Sequence, residues 1–282
     1  MTQNIYPCLW FDHQARETAD YYCSIFSDSK ILQDTGITVT FSLKGQKFMG
    51  LNGGPTFKIN PAVSFFVFCS SVDEVTQYWF KLSESGQIMM PLDTYPWSEK
   101  YGWCSDKYGV NWQIMLSKEA NTQPIVPSLL FTGSVSGKAE EAIKFYTGLF
   151  PNSKIKDISK HPEGSGDLAG QVNHGRFSLS GSSFVAFDGG LGHSFKFDEG
   201  VSLVVPCDTQ KEIDYYWQKL TEGGSEGQCG WVKDSFGISW QIVPAILGDL
   251  MSDLSKAPKV MQAFLKMKKF DIAILLSAAN GQ

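Results

Sequence analysis

The chain has 282 residues, of which 43% are hydrophobic and 19% charged; this composition provides a substantial core and excludes a disordered chain. Its 24 basic and 29 acidic residues give a net charge of −5, so no basic field is available to attract nucleic acid or an anionic membrane. We find no signal-peptide pattern and no apolar run of the roughly 18 residues that a spanning helix needs, so the cytoplasm is the expected location.

In the first half of the chain, the pattern of apolar residues predicts a strand, a helix and further strands, and this order occurs twice in succession. Residues 5–11 form a short apolar run, and a stripe of helical spacing follows over 15–26. Two strand-like runs then meet at Lys44-Gly45, which is typical of a hairpin. The order restarts with a strand at 63–69 and a helix at 72–82, and a closing hairpin completes it. This half therefore contains two β-α-β-β-β modules.

The second half of the chain repeats the first. Four pairs of segments align, namely 16–31 with 140–155, 41–54 with 177–190, 72–82 with 209–220, and 102–114 with 230–242. The repeat predicts an α+β chain of four modules. We expect a first domain at 1–120, a second at 121–245 and a helical extension at 246–282.

The most similar stretch of the repeat is "GWCSDKYGVNWQI" (102–114), which recurs as "GWVKDSFGISWQI" (230–242). An aspartate can hydrogen-bond the turn backbone, and the glycine can take a positive φ. Period-two alternation puts Trp112 on the face opposite Asn111 and Gln113. We interpret the motif mainly as part of the architecture, with participation in a ligand site as the alternative.

These segments carry a resemblance to a known family. "CLWF", "YYCSIFSDSKI", "FMGLNGG", "DEVTQYW" and the repeated GWxxDxxGxxWQI pattern resemble the PhnB-like proteins of the vicinal oxygen chelate superfamily, catalogued in places as a 3-demethylubiquinone-9 3-methyltransferase domain. The resemblance implies tandem glyoxalase-like domains, each of two modules, whose curled mixed sheets surround a cleft, with helices outside and a C-terminal helical tail.

The resemblance also implies where a metal would bind, because metal-using relatives take His, Gln or Glu ligands from the first and last strands of each module. Those positions here carry Tyr6 or Pro7, Ser64, Met49 and Gln113, and their repeat partners. Neutral groups of this kind suit a catalytic cation poorly. We expect no bound metal and no cofactor. The glycine pairs in "NGGP" and "DGGLG" open no helix, so a Rossmann-type methyl-transfer site is not expected either.

Several residues are candidates for the cleft. The predicted cleft candidates are Gln113, Gln241, Met49, Leu51, Phe187, Cys69, Cys207, His174 and Arg176. An insertion in the first copy, expected to be a loop, carries Tyr95, Trp97 and Tyr101, which could form a lid over the cleft or pack on their own sheet. His174 and Arg176 share one strand face and could bind an anion, or could be an exposed polar face. The six cysteines lack paired or metal-like spacing and are expected to be free thiols.

Two classes of function fit these residues. One is a protein that binds a small organic ligand in a sheet-lined cleft without a catalytic divalent metal. The other is a small-molecule enzyme, either a glyoxalase-like lyase or isomerase or the catalogued methyltransferase. No nucleophile or triad can be assembled from the spacing, so catalytic residues are not assigned and the question of an enzyme stays open. The expected partner is a small molecule, not nucleic acid or membrane, and a homodimer is compatible with the sequence.

Overall fold

The structure is a computed structural model that describes residues 4–118 and 123–281. Four modules follow the predicted order. The first comprises β1 (Tyr6–Phe11), α1 (Ala15–Ile25), β2 (Ser29–Asp34), β3 (Thr38–Leu43) and β4 (Gln46–Asn52). The second comprises β5 (Val63–Cys69), α2 (Val72–Ser83), β6 (Gln87–Tyr95), β7 (Ser98–Ser105) and β8 (Asn111–Leu116).

The second half has the same succession. The third module comprises β9 (Ile125–Phe131), α3 (Ala139–Leu149), β10 (Lys154–Lys160), β11 (Val172–Leu179) and β12 (Ser182–Asp188). The fourth comprises β13 (Val201–Cys207), α4 (Gln210–Thr221), β14 (Ser225–Glu226), β15 (Trp231–Lys233) and β16 (Ser239–Pro244). Three helices form the tail, α5 (Leu247–Ser252), α6 (Ala257–Phe264) and α7 (Ile272–Ala279). None of the described helices is long and apolar enough to cross a membrane.

The strands form two eight-stranded mixed sheets, and each sheet takes one module from each half of the chain. Sheet A has the order β14-β15-β16-β13-β1-β4-β3-β2, and sheet B has the order β10-β11-β12-β9-β5-β8-β7-β6. Antiparallel pairing joins the modules at the centre of each sheet: Tyr6 lies opposite Val204 in sheet A, and Ser64 lies opposite Ser128 in sheet B. The first module therefore completes its sheet with the fourth module and not with the second.

The helices cover one face of each sheet because alternation sends the large apolar side chains there. On β5, Val63, Phe65 and Val67 join the main core together with Trp79 of α2. The capping chemistry of α2 and α4 matches this docking, since Ser71 accepts a hydrogen bond from the Glu74 N–H and Thr209 forms a capping box with Glu212. We call the opposite face of each sheet its cleft face.

The two sheets differ at one edge. In sheet B, β6 and β7 form a long hairpin in which Tyr101 lies opposite Asp93. In sheet A the corresponding strands are short, and the tail pairs with the edge instead: the Cys229 and Gly230 N–H groups donate to the Met267 and Lys268 carbonyls at 2.8 and 2.7 Å. Val260, Phe270 and Leu275 anchor the tail in the main core. The tail thus replaces the missing part of the hairpin in sheet A.

Candidate functional site

The aspartate of the repeated motif is a buried structural node. Asp106 Oδ2 accepts hydrogen bonds from the Tyr22 hydroxyl at 2.6 Å and from Trp112 Nε1 at 2.8 Å. Its Oδ1 accepts from the backbone N–H groups of Tyr108 and Val110. Burial raises the pKa of the Asp106 carboxyl, and these four hydrogen bonds oppose the rise. The node fastens helix α1 to the β7–β8 turn.

The second copy builds the same node. Asp234 accepts from Tyr146 at 2.6 Å and from Trp240 at 2.8 Å, and its other oxygen accepts two backbone N–H groups. Trp112 and Trp240 are both fully buried. The architectural interpretation of the motif is therefore confirmed: its aspartate and second tryptophan belong to the core, whereas the neighbouring glutamines face the clefts.

Gln113 lies on β8, on the cleft face of sheet B. Its Nε2 donates to Ser64 Oγ at 2.8 Å, and its Oε1 accepts a hydrogen bond from the Tyr101 hydroxyl at 2.6 Å. Burial raises the pKa of the Tyr101 hydroxyl, which therefore stays protonated as the donor at neutral pH. The glutamine is held on both sides and gives the cleft a fixed polar point.

Three polar atoms around Gln113 lack protein partners. Ser128 Oγ, Asn111 Oδ1 and Trp103 Nε1 are buried, and none has a hydrogen-bond partner among the described residues. Ser128 lies directly opposite Ser64, and Trp103 lies directly opposite Gln113. Unpaired buried polar atoms are costly, so a cluster of them on one cleft face marks a place where a ligand or solvent can hydrogen-bond.

Aromatic side chains form the walls around this polar centre. Phe66 lies against Phe68 and Phe187, with ring centroids 5.6 and 6.0 Å apart. The predicted lid residues are close by: Tyr95 stacks on Trp97, Tyr101 meets both rings edge-on, and Tyr95 and Tyr101 belong to the same cluster as Phe66. They lie on strands β6 and β7 and the turn between them, so the expectation of a loop is wrong, because register with β8 extends the insertion as a hairpin.

His174 and Arg176 lie at the β11 side of the same cleft face. The His174 ring packs on Phe187 at 5.3 Å, and burial together with the Arg176 charge lowers the pKa of His174. Arg176 is paired with Asp157 on β10, at 2.8 Å from Nε and 2.7 Å from Nη2. The arginine charge is therefore already balanced by a carboxylate of the neighbouring strand.

The remaining predicted cleft residues belong to sheet A. Met49 and Leu51 pack with Tyr6, Cys8 and Val204 on its cleft face. Gln241 donates to Ser202 Oγ at 2.9 Å, which repeats the Gln113–Ser64 pair. Gln113 and Gln241 thus occupy corresponding positions in two separate clefts.

Two of the predicted residues face the wrong way. Cys69 and Cys207 are buried in the main core, because they share the strand phase of Val67 and Val205. The cysteine that does reach a cleft is Cys8, which lies opposite Ser202 and whose pKa is raised by burial to about 12. All six cysteines are free thiols, as expected.

The predicted metal positions carry no charged side chain. In sheet B they are Ser64, Gln113, Val185 and Val126 or Pro127, and in sheet A they are Ser202, Gln241, Met49 and Tyr6 or Pro7. Within residues 4–118 and 123–281, no group of three or more His, Cys, Asp or Glu side chains could hold a metal ion. This donor chemistry does not fit a catalytic divalent cation.

Replacing Gln113 by alanine is expected to lower the free energy of unfolding by about 1–3 kcal/mol, because Ser64 and Tyr101 both lose their buried partner. Gln241→Ala should cost less, since no tyrosine within residues 4–118 and 123–281 is bonded to that amide. Urea unfolding followed by circular dichroism measures both values. Equal losses for the two variants would contradict the role given to Tyr101.

The comparisons with known proteins agree with this architecture. The family model described as 3-demethylubiquinone-9 3-methyltransferase matches residues 3–115 and again residues 123–243. A PhnB protein from Bacillus cereus is 37% identical over 41% of this chain and 100% of its own, with a TM-score of 0.39. Glyoxalase I from Zea mays is 12% identical over 87% of this chain and 93% of its own, with a TM-score of 0.58. No curated protein matches the chain.

Proposed function

The chain belongs to the 3-demethylubiquinone-9 3-methyltransferase family and has the glyoxalase-like fold of the vicinal oxygen chelate superfamily, and from its cleft chemistry we propose that it binds a small organic ligand without a catalytic divalent metal. The observation that carries the proposal is the set of unpaired polar atoms on Ser128, Asn111 and Trp103 in the cleft of sheet B. Few, well-placed polar groups among aromatic walls are typical of small-molecule sites.

The chemistry of these atoms defines the ligand. Trp103 Nε1 can only donate a hydrogen bond, Asn111 Oδ1 can only accept one, and the Ser128 hydroxyl can do either. The surrounding Phe66 and Phe187 favour a ring or another flat apolar body. The ligand that fits is neutral, largely apolar or aromatic, and carries a hydroxyl, carbonyl or amide group.

The family description names a methyl transfer, and the chain's glycine turns do not suit a nucleotide-type methyl donor. Gly53 and Gly54 follow β4, and Gly189 and Gly190 follow β12, but the next element in each case is a strand. A dinucleotide-type site needs a helix N-terminus at that turn to hold an anion. We therefore assign the cleft to ligand binding and assign no catalytic residue.

Binding of 4-fluorophenol, followed by fluorine NMR, tests the proposed site. We expect saturable binding that is tighter than that of 4-fluorotoluene, which has the same ring but no hydroxyl. Ser128→Ala and Trp103→Phe should each weaken 4-fluorophenol binding by about 2- to 10-fold, as expected for one hydrogen bond, and leave 4-fluorotoluene unaffected. Thr76→Ala on helix α2 is the matched control. Absence of saturable binding, or binding indifferent to both substitutions, would contradict the proposal.

Chelation tests whether the protein binds its ligand without a divalent metal. Dialysis against a chelator should leave 4-fluorophenol binding and the melting temperature unchanged, because the strand positions offer only neutral donors. Stoichiometric zinc, nickel or iron in the purified protein, lost together with binding on chelation, would show that the expectation of metal-free binding is wrong.

A further inference from the structure

The cleft of sheet A contains a cation, Lys47, at a position where the cleft of sheet B has none. Lys47 lies on β4, and its ammonium group stands over the Tyr6 ring, 4.2 Å from the centroid. The corresponding position of the second copy is Ser183, in the alignment of 41–54 with 177–190. The two clefts therefore share a glutamine–serine pair and differ in charge.

The Lys47 ammonium has no carboxylate partner in the part of the chain that the structure describes. Burial, with no charged group opposing it, lowers the pKa of Lys47. In the other cleft, Arg176 is bound by Asp157. A half-buried cation supported only by an aromatic face gains from an anion that enters the cleft.

The floor beside Lys47 is apolar, and its far side is polar. Tyr6, Cys8 and Val204 pack there with Met49 and Leu51. Beyond them, Gln241 bonds Ser202, and the buried Ser239 Oγ has no partner among the described residues. Lys47 on β4 and Gln241 on β16 are separated by β1 and β13, which corresponds to about 14 Å along the sheet. That span accommodates a ring-sized body between two polar ends.

The tail also contacts the β2 edge of the same sheet. Helix α5 begins shortly after β16, yet it contacts Gln33 on β2 at the opposite edge of sheet A. The Gln33 amide donates to the Gly248 carbonyl at 3.0 Å and also to the Ser252 hydroxyl. Gln33 lies opposite Thr40, which is on the cleft-facing phase of β3. Helix α5 therefore contacts the β2 edge of sheet A, and its side chains Leu247, Leu250 and Met251 pack against the main core.

We propose that the cleft of sheet A binds a small organic carboxylate, with the carboxylate on Lys47 and the apolar body over Tyr6, Cys8 and Val204. This inference rests on the proposed function, because it assumes that the sheet-lined clefts hold organic ligands. It adds that the two clefts bind different ligands: the cleft of sheet B binds a neutral ligand, and the cleft of sheet A binds an acid. The free end of such an acid reaches Ser239 and Gln241.

The test compares 4-fluorobenzoate with 4-fluorobenzamide, which has the same ring but no charge, by fluorine NMR at neutral pH. The wild-type protein should bind the benzoate more tightly. Lys47→Met, which keeps the apolar stem, should weaken benzoate binding about tenfold or more and leave benzamide binding unchanged. Lys47→Arg should retain the preference. Lys211→Met, on the outer surface of helix α4, is the matched control.

Each outcome bears on the inference. Benzoate binding that is equal in the wild type and Lys47→Met would overturn it, and so would equal binding of benzoate and benzamide to the wild type. If 4-fluorophenol binding still depends on Ser128 in that case, only the acid-binding inference fails. If none of the fluorinated rings binds, the proposed function fails with it. Should Lys47→Met not fold, the Lys47→Arg protein and the benzoate–benzamide comparison still decide the question.

Discussion

Replacing Asp106 by asparagine is expected to lower the free energy of unfolding by about 2–4 kcal/mol, because an amide cannot accept the four hydrogen bonds that the carboxylate accepts. One amide orientation places an NH2 group against Tyr22 and Trp112, and the other places it against two backbone N–H groups. The Tyr22 hydroxyl can turn to accept, but the indole and backbone donors cannot. At least one buried donor therefore stays unpaired.

Urea unfolding at constant m-value measures the effect of Asp106→Asn. Asp12→Asn at an exposed position is the matched control and should change stability by no more than about 0.5 kcal/mol. Asp234→Asn should cost a similar amount to Asp106→Asn, and the two losses should add, since the nodes share no residue. A midpoint for Asp106→Asn within error of the control would mean that the node does not hold α1 to the turn.

A fragment of residues 1–118 is expected to fold only as a homodimer. In the full chain, β1 pairs with β13 and β5 pairs with β9, so the fragment loses the central partner of both sheets. In sequence, β13 is the repeat of β5 and β9 is the repeat of β1. In a homodimer of the fragment, β1 of one copy can therefore pair with β5 of the other copy, and this pairing takes the place of both lost pairs. Burial of these central strands then depends on association.

The dimer makes the stability of the fragment depend on its concentration. Its melting temperature should rise with concentration, and sedimentation should give twice the fragment mass. Coexpression with residues 119–282 should instead yield a one-to-one complex, because that partner supplies β9 and β13 themselves. A monomeric fragment whose cooperative melt is independent of concentration would contradict the module exchange.

The sequence predicted the elements well, because periodicity and turn chemistry are local. The order of all four modules follows from the periodicity along the chain, and the burial of Trp112 and the cleft-facing orientation of Gln113 follow from alternation within one strand. The hydrogen bond from the Tyr22 hydroxyl to Asp106 could not be foreseen, since it joins residues 84 positions apart. Pairing between modules could not be foreseen either, because β1, β5, β9 and β13 are all short apolar strands that would satisfy one another's hydrogen bonds.

The site was predicted less completely than the fold. Gln113, Phe187 and Met49 were placed on cleft faces, but Cys69 was assigned to the wrong face. In "VSFFVFC" every position but one is apolar, so hydrophobicity does not reveal the phase of the strand. Ser128 could have been found by extending the alternation along β9. Lys47 was missed because a lysine in a hairpin strand ordinarily lies on the solvated face.

The exchange of modules has a consequence for how the chain is synthesised. The strands of sheet B all lie between residues 63 and 188, whereas sheet A joins the first strand of the chain to a strand at 201–207. As the chain leaves the ribosome, all strands of sheet B can pair before β13 has been synthesised. During that time the edge of β1 that pairs with β13 is uncovered. Unpaired edges are the usual starting points of aggregation. We therefore expect nascent chains that stall before residue 200 to be the species most in need of a chaperone.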